Sequence, residues 1–279
     1  MYLVFDIGGT RMRFGITKDG NQIDDYKVVD TPENYSTALK VIAQVIDALA
    51  PRTKFEAAAG GLPGPLSPLR DRFLRLPHLP NWEDKPILQD LTSITMSPVY
   101  LENDTAVVGL GEALYGAGQD TAIAAYITIS TGIGGVRIVN GRLDEAYFGF
   151  EPGHHILNWQ PSRKLEELSS WEEHISGSAI KKKYNVEPHN LQQSEFWEQA
   201  HEEIAVALHN LNCFWSPQVV ILGGGLVNAK LINLLKVQQY WRRIPTVFPE
   251  LPQLKVAELG TVGGLYGALA LLKYKHLKE

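Results

Sequence analysis

Five short stretches of this sequence carry residue types suited to phosphate and hydroxyl chemistry. Asp6-Ile7-Gly8-Gly9-Thr10 sets a carboxylate beside two glycines. Glycine backbone lets an anion approach closely, because no Cβ intervenes, and its N–H groups can cradle phosphate oxygens. Asp6 can hold Mg²⁺ through water, the coordination that ion favours. Ser130-Thr131-Gly132-Ile133-Gly134-Gly135 offers the same chemistry with two hydroxyl donors added. Either stretch alone is also what a plain hairpin turn looks like; two in one chain, each between strands, point to a phosphate clamp. Gly223-Gly224-Gly225 follows an apolar strand, where it either admits the adenosine of a nucleotide or simply turns the chain into a helix. Asn103-Asp104 stands at a strand end before a helix. Asp104 is then either an N-cap or a catalytic base at the edge where α/β proteins bind ligands. Glu151-Pro152-Gly153-His154, with Glu172, supplies carboxylates and an imidazole for gripping sugar hydroxyls, although a lone His is ordinarily a satisfied surface or core residue.

The elements that must position these residues are legible in outline. Strands are expected over 2–7, 12–17 and 22–29, with turns at Gly8-Gly9-Thr10 and Asp19-Gly20. Apolar residues at helical spacing over 35–49 predict a helix that Pro51 ends. A buried strand over 55–59, a Gly/Pro loop over 60–65, a short helix from Pro86 to Leu91, a strand over 98–101 and a helix over 105–115 follow. Residues 122–129 and 136–139 form a second strand-turn-strand unit, a weak internal repeat of the first in shape. Helices over 196–214, 229–240 and 262–273 alternate with strands over 219–222 and 254–259, the pattern of an α/β protein with mixed sheets. The expected domains are a smaller one over 1–103, joined by the C-terminal helix 262–279, and a larger one over 104–261.

Composition excludes several classes. The chain has 279 residues, 44% hydrophobic and 20% charged, which is ordinary for a folded protein and not for a disordered one. The net charge of −5 argues against a general nucleic-acid binder. A single cysteine, Cys213, rules out an intrachain disulfide and any zinc site of several thiolates. No export signal or membrane span is visible, so a cytoplasmic protein is expected. Neither a Walker loop nor a dinucleotide fingerprint occurs: Gly109-Leu110-Gly111 has Leu114 at the third glycine position.

These motifs, with Gly61-Leu62-Pro63-Gly64-Pro65 and Glu102-Asn103-Asp104 among them, occur in one order over nearly the whole chain. In that order they resemble the ROK family of repressors, open reading frames and sugar kinases. The resemblance implies an actin-like ATPase fold: two ribonuclease-H-like domains flanking a cleft for ATP and sugar. It implies an ATP-dependent kinase for a hexose or N-acetylhexosamine such as glucose, N-acetylglucosamine or N-acetylmannosamine. Asp104 matches the catalytic base. Gly61, Asn103, Asp104, Glu151, His154 and Glu172 match the sugar side. ATP falls to Asp6, Gly8, Gly9, Thr10 and Arg11, to Thr131, Gly132 and Gly134, and to Gly224 and Gly225, with Asp6 near Mg²⁺. A homodimer is implied, with no nucleic-acid or membrane partner. The loop over 61–65 and Leu79-Pro80-Asn81-Trp82 are expected to border the sugar. Some relatives use polyphosphate in place of ATP. The repressors carry a helix-turn-helix domain before the first motif; only five residues precede Asp6, so none is expected here. A non-catalytic sugar and ATP sensor of the same family is the alternative.

One departure stands out. The family's E-x-G-H motif is usually followed by C-x-C-G-x-x-G-C, whose cysteines bind a structural zinc together with the motif histidine. Here those positions hold Arg163, Leu165 and Ser170, so no zinc site is expected. Glu172 and Ser176-Gly177 stay in register. An apolar cluster of Leu165, Leu168 and Trp171 is expected in place of the metal, and His154 needs another group to fix its tautomer. Lys181-Lys182-Lys183 reads as a solvated helix face, Cys213 as core, and Trp197 and Trp215 as packing; His155 has no partner at ligand spacing.

Overall fold

The first strand, β1 (Tyr2–Ile7), is buried along its whole length. A strand apolar at nearly every position must be covered on both faces, and so lies inside a sheet. It pairs antiparallel with β2 (Arg11–Thr17), which pairs antiparallel with β3 (Asp25–Asp30). On its other side β1 runs parallel to β4 (Ala58–Leu62), and β4 parallel to β5 (Val99–Asn103), giving the order β3-β2-β1-β4-β5. The computed structural model describes residues 1–76, 79–157, 161–162 and 164–277. Helix α1 (Tyr35–Leu49) has the expected bounds; Asn34 caps it by accepting the Thr37 N–H at 3.0 Å, and Ala38, Ile42, Val45, Ile46 and Leu49 form its buried stripe. Helix α2 (Ile87–Thr95) runs past the expected end and stops where Met96 turns left-handed, φ 52°. Strand β4 begins later than expected and takes in Gly60, Gly61 and Leu62, because its register with β1 and β5 continues through them. Leu79-Pro80-Asn81-Trp82 does not present its tryptophan to a ligand: Trp82 is fully buried between Tyr35 and Phe73, at 5.4 and 5.7 Å.

Helices α3 (Asp104–Tyr115) and α9 (Gly263–Leu272) pack backbone to backbone. A methyl group at Gly267 would lie 1.7 Å from the Val107 carbonyl oxygen, and one at Gly111 would lie 2.5 Å from the Gly263 carbonyl oxygen. Both glycines are there because no larger residue permits this approach. Helix α9 also lies on β1, where a Cβ at Gly264 would strike the Asp6 carboxyl at 2.4 Å. The carboxylate of Glu112, 1% exposed, accepts the N–H groups of Ala117 (3.1 Å), Glu258 (3.0 Å) and Leu259 (2.8 Å). The chain therefore divides differently from the expectation. The first unit is Met1–Gln119, Gly141–Gly149 with the short strand β8 (Arg142–Leu143), and Glu258–Glu279; the second is Asp120–Asn140 and Phe150–Ala257. The break lies after Gln119 and not after Asn103, since α3 belongs with α9.

The second unit repeats the pairing scheme. Strand β6 (Ile123–Ile129) forms a hairpin with β7 (Ile133–Val139) and runs parallel to β9 (Val219–Gly223), which runs parallel to β10 (Gln253–Val256). Strand β7 starts three residues earlier than expected, so Gly134 and Gly135 are strand residues opposite Thr128 and Ile127. Helices α4 (Trp171–Ile175), α5 (Gly177–Tyr184) and α6 (Ser194–Trp215) precede β9. The stripe Ile204, Leu208, Leu211 and Trp215 faces the core; Cys213, two positions from Leu211 and Trp215, lies off that stripe and is exposed, contrary to the core reading. The helix expected over 229–240 is formed only from Leu234, as α8 (Leu234–Trp241); a short helix α7 (Gly225–Asn228) precedes it, and the left-handed Lys230, φ 57°, lies between the two. Among the described residues no helix is long and apolar enough to cross a membrane.

Replacing Gly267 by Ala is expected to cost about 1–3 kcal/mol of stability, because α9 must move off α3. Thermal unfolding should show a midpoint several degrees lower; an unchanged midpoint would refute the contact.

Candidate active site

The first unit carries Asp6, the first glycine turn and the Asn103-Asp104 pair. Asp6 sits at the end of β1 opposite Arg13, its cross-strand partner, whose Nη1 donates to Oδ2 at 3.1 Å. Burial pushes the Asp6 carboxyl above the ordinary range, and the Arg13 charge and hydrogen bond pull it part of the way back. The turn Gly8–Arg11 is closed by Gly8 N–H to Arg11 O (2.9 Å), and Thr31 holds it from the side, its hydroxyl donating to Gly8 O (2.7 Å) and its N–H to Thr10 O (2.9 Å). Gly9, Thr10 and Arg11 are exposed. Nothing lies within 4 Å of where a Cβ on Gly9 would be, and its φ is not positive. Neither packing nor backbone conformation demands glycine there, which leaves close approach of a ligand as the physical reason for it.

At the end of β5 the two Asx residues divide their work. Asn103, not Asp104, is the N-cap of α3: its Oδ1 accepts the Ala106 N–H (3.2 Å) and its Nδ2 donates to Gly64 O (3.0 Å). Asp104 is the first helical residue, half-buried, and its Oδ1 accepts the Thr105 N–H at 2.7 Å. Its side chain thus stands at the N-terminus of α3. A Cβ on Gly61 would come within 2.9 Å of the Asp104 Cα, so this glycine lets β4 lie against the first turn of α3. Glu102, paired with Arg70 Nε at 2.9 Å, accepts the Asn103 N–H (3.0 Å) and fixes the strand end from behind.

The second unit joins the other glycine turn to the acidic group. Glu172, in the first turn of α4, accepts the Ile133 N–H through Oε2 at 2.6 Å, and a Cβ at Gly132 would lie 2.6 Å from that same oxygen. Carbonyls of the turn are held by α5: Gly177 N–H donates to Ser130 O (2.7 Å) and Ser178 N–H to Thr131 O (3.0 Å). Gly153 sits directly on β7, since a Cβ there would be 2.0 Å from the Ile133 carbonyl oxygen. Glu151 and His154 flank it, both exposed. Partial desolvation raises the Glu151 carboxyl above its usual range; nearby His154 lowers it and Glu172 raises it further, so the three groups share one electrostatic neighbourhood. Each residue of the glycine run has a packing reason. A Cβ at Gly223 would meet the Tyr126 hydroxyl (2.4 Å), one at Gly224, whose φ is 93°, the Ile129 carbonyl oxygen (2.5 Å), and one at Gly225 the Ser130 hydroxyl (3.2 Å). The run is thereby seated against the end of β6 and the β6–β7 turn.

The residues at the family's metal positions do not fit zinc. Leu165 is 73% exposed, and Ser170 is spent as the N-cap of α4 in a capping box with Glu173. Arg163 lies outside the described residues. The expected apolar cluster does not form around Leu165; of the three residues named for it, only Trp171 is fully buried, and its ring neighbour is His155 at 5.6 Å. Sequence reasoning missed Arg13, for which the alternation Arg11, Arg13 along β2, opposite Asp6, was the available signal. His155, read as lacking a partner at ligand spacing, packs its ring on Trp171 and hydrogen-bonds to the Pro152 carbonyl oxygen.

The chain matches the family model described as "ROK family" over residues 2–275. An N-acetyl-D-glucosamine kinase of Salmonella typhimurium is 27% identical over 301 residues, covering 97% of this chain and 99% of that protein. The crystal structure of a ROK hexokinase from Thermus thermophilus is 28% identical, with a TM-score of 0.84 and 99% of both chains covered. A ROK family glucokinase from Streptomyces griseus, solved with glucose and AMPPNP, has a TM-score of 0.77 at 24% identity over 97% of this chain and 98% of that one, a likeness of fold. The fold is that of the actin-like ATPases, built on two ribonuclease-H-like domains, as the motif order implied.

Two outcomes follow from this geometry. Gly9→Ala should leave the unfolding midpoint unchanged and weaken nucleotide binding in a calorimetric titration; equal affinity would remove Gly9 from the site. Hydroxyl recognition by ionised Glu151 should fade on acidification at a pH above that of an ordinary glutamate, since its carboxyl is raised. Sugar titrations across pH should show this limb in the wild type and lose it in Glu151→Gln.

Proposed function

Because the chain belongs to the ROK family, we propose that it is an ATP-dependent sugar kinase. It transfers the γ-phosphate to a hydroxyl, O6, of a hexose or N-acetylhexosamine of the glucose, N-acetylglucosamine or N-acetylmannosamine type. The observation that carries this reading is the bond from Ile133 N–H to Glu172. It makes the acidic group suited to sugar hydroxyls and the glycine turn suited to phosphate parts of one rigid structure. The similarity to the Salmonella typhimurium N-acetyl-D-glucosamine kinase and the Thermus thermophilus ROK hexokinase supports the same activity class.

In this mechanism Asn103, Glu151, His154 and Glu172 bind and orient the sugar, with Gly61 leaving room beside Asp104. A sugar hydroxyl is far too weak an acid to ionise beforehand. Asp104 therefore accepts its proton as the bond to phosphorus forms, and the remaining catalysis is positioning and charge neutralisation. Backbone N–H groups of Gly9 and Thr10, in the turn that the Gly8 N–H closes on Arg11 O, and of Thr131 and Gly132, serve the phosphates. Arg11 stands exposed beside the first turn and Gly134 is the second residue of the strand after the second. Gly224 and Gly225 border the adenosine. Asp6 is a carboxylate donor of the kind Mg²⁺ accepts, already matched in charge by Arg13, and would hold the ion through water. Mg²⁺ when bound supplies neutralisation of the phosphate charge. No part of this reading needs zinc. The family resemblance further supports a cytoplasmic homodimer.

Asp104→Asn should lower kcat by about 10²–10⁴ while sugar affinity changes little; turnover like the wild type would sink the assignment of the base. The wider test is a coupled assay with Mg-ATP over a panel of hexoses and N-acetylhexosamines. Turnover of one sugar at roughly 1 s⁻¹ or faster is expected. No turnover by a folded protein that still binds ATP would replace the kinase with a sugar sensor.

A further inference from the structure

Glu151 and His154 stand on a short turn, Pro152–His154, whereas Glu172 stands on α4. Three groups that grip one sugar must keep their spacing, and an exposed turn does not do so unaided. The groups that tie it down lie just behind it. The His155 ring hydrogen-bonds through Nδ1 to the Pro152 carbonyl oxygen, across the base of the turn. A carbonyl oxygen only accepts, so Nδ1 carries the proton and Nε2 is the acceptor nitrogen. That Nε2 is buried and has no hydrogen-bond partner among the described residues. The ring packs on Trp171, which is fully buried and whose Nε1–H is likewise buried without a partner. One orphan is an acceptor and the other a donor. The backbones are joined at the same place: Trp171 N–H donates to His155 O at 3.0 Å, and Ile156 forms an antiparallel bridge with Ser170. Trp171 is the residue immediately before Glu172. Behind it, His174 ties α4 to α6 through Glu203 at 3.1 Å.

We propose that His155 and Trp171 form a metal-free clasp that holds the Glu151–His154 turn in register with Glu172, making both of them positioning residues for the sugar. The clasp sets the base of the turn through the imidazole and the start of α4 through the indole. Neither residue touches the sugar; both act through the groups that do. The inference deepens the kinase reading and rests on it for the identity of the ligand, but the clasp itself is a property of the second unit alone. It also accounts for a site that keeps its acids in register while lacking thiolate ligands. What a bound cation would do from one side of the turn, a buried ring pair does from the other.

The test uses the full chain and two conservative variants. His155→Phe keeps a ring against Trp171 and deletes the donor to Pro152 O. Trp171→Phe keeps an aromatic ring but a smaller one, which loosens the packing on His155 and removes the unpartnered indole N–H. For His155→Phe the KM for sugar should rise about tenfold or more, with kcat and the KM for ATP within about twofold. For Trp171→Phe the rise should be smaller, about threefold. A fall in unfolding midpoint with no selective change in sugar KM would assign the pair a merely structural role and overturn the proposal. Amide exchange of the wild type supplies a reading independent of turnover. The Trp171 and His155 amides should be protected, should stay so in EDTA, and should lose about tenfold of that protection in His155→Phe. Unchanged protection in the variant, loss of protection in EDTA, or about one zinc ion per purified chain would each overturn the clasp. If the wild type phosphorylates no sugar, the kinase reading fails and the exchange data alone decide the clasp.

Discussion

Two helices can lie no closer than the atoms between them allow, and in the first unit nothing lies between α3 and α9 but backbone. The absent side chains of Gly111 and Gly267 are what bring Val107 and Gly263 to that distance. The position of Asp104 follows, because it is the first residue of α3. So does that of Asp6, because the next glycine of α9, Gly264, is pressed against its carboxyl. One interhelical contact thus sets where both acids of the first unit stand. It leaves little freedom, since close-packed interiors transmit a displacement and do not absorb it.

Polar groups then lock what the glycines allow. Glu112 buries a carboxylate without a cation and satisfies it with three backbone N–H groups, one beyond the end of α3 and two just before α9. Removing a carboxylate from water is costly unless its lone pairs are filled, and here they are. Arg70 and Glu102 do a related task at the end of β5, where Glu102 also holds the Asn103 N–H and Arg70 reaches the carbonyl oxygens of Ser67 and Tyr147. In the second unit that task is shared between the capping serines of α4 and α5 and the carboxylates of Glu173 and Glu172, which accept the Ser170 and Ile133 N–H groups.

Much of the fold was legible because local chemistry and global position agreed. Helix α1 combines an Asn cap, a clean apolar stripe and a following proline, and its bounds match. The hairpins β1–β2 and β6–β7 were foreshadowed by apolar runs ending in glycine turns. The misreadings came where two residues compete for one role or where a partner is remote in sequence. Asn103 and Asp104 are equally good caps; the last hydrogen-bonded residue of β5 decides between them. The burial of Trp82, in a segment expected to border the sugar, was not readable because Tyr35 and Phe73, the rings that cover it, are brought together only by the tertiary fold. Cys213 has apolar neighbours in sequence, yet helical geometry turns it away from Leu211 and Trp215. The boundary after Asn103 followed the motif order, whereas the chain actually divides according to which helix α3 lies against. At the site, the residue types were readable and their supports were not. Arg13 behind Asp6 and Trp171 behind His155 are known only once strands and turns are in register.

The bond from Ile133 to Glu172 has a thermodynamic corollary. In the proposed reading the same carboxylate has two claimants: a sugar hydroxyl on one side and the amide of the glycine turn on the other. Any shift of Glu172 toward one is taken from the other, so occupancy of the acceptor subsite is felt at the donor subsite without a moving domain. Linkage then requires reciprocity: the factor by which sugar alters nucleotide affinity is the factor by which nucleotide alters sugar affinity. A side chain chosen to recognise one ligand thereby becomes the coupling element between both.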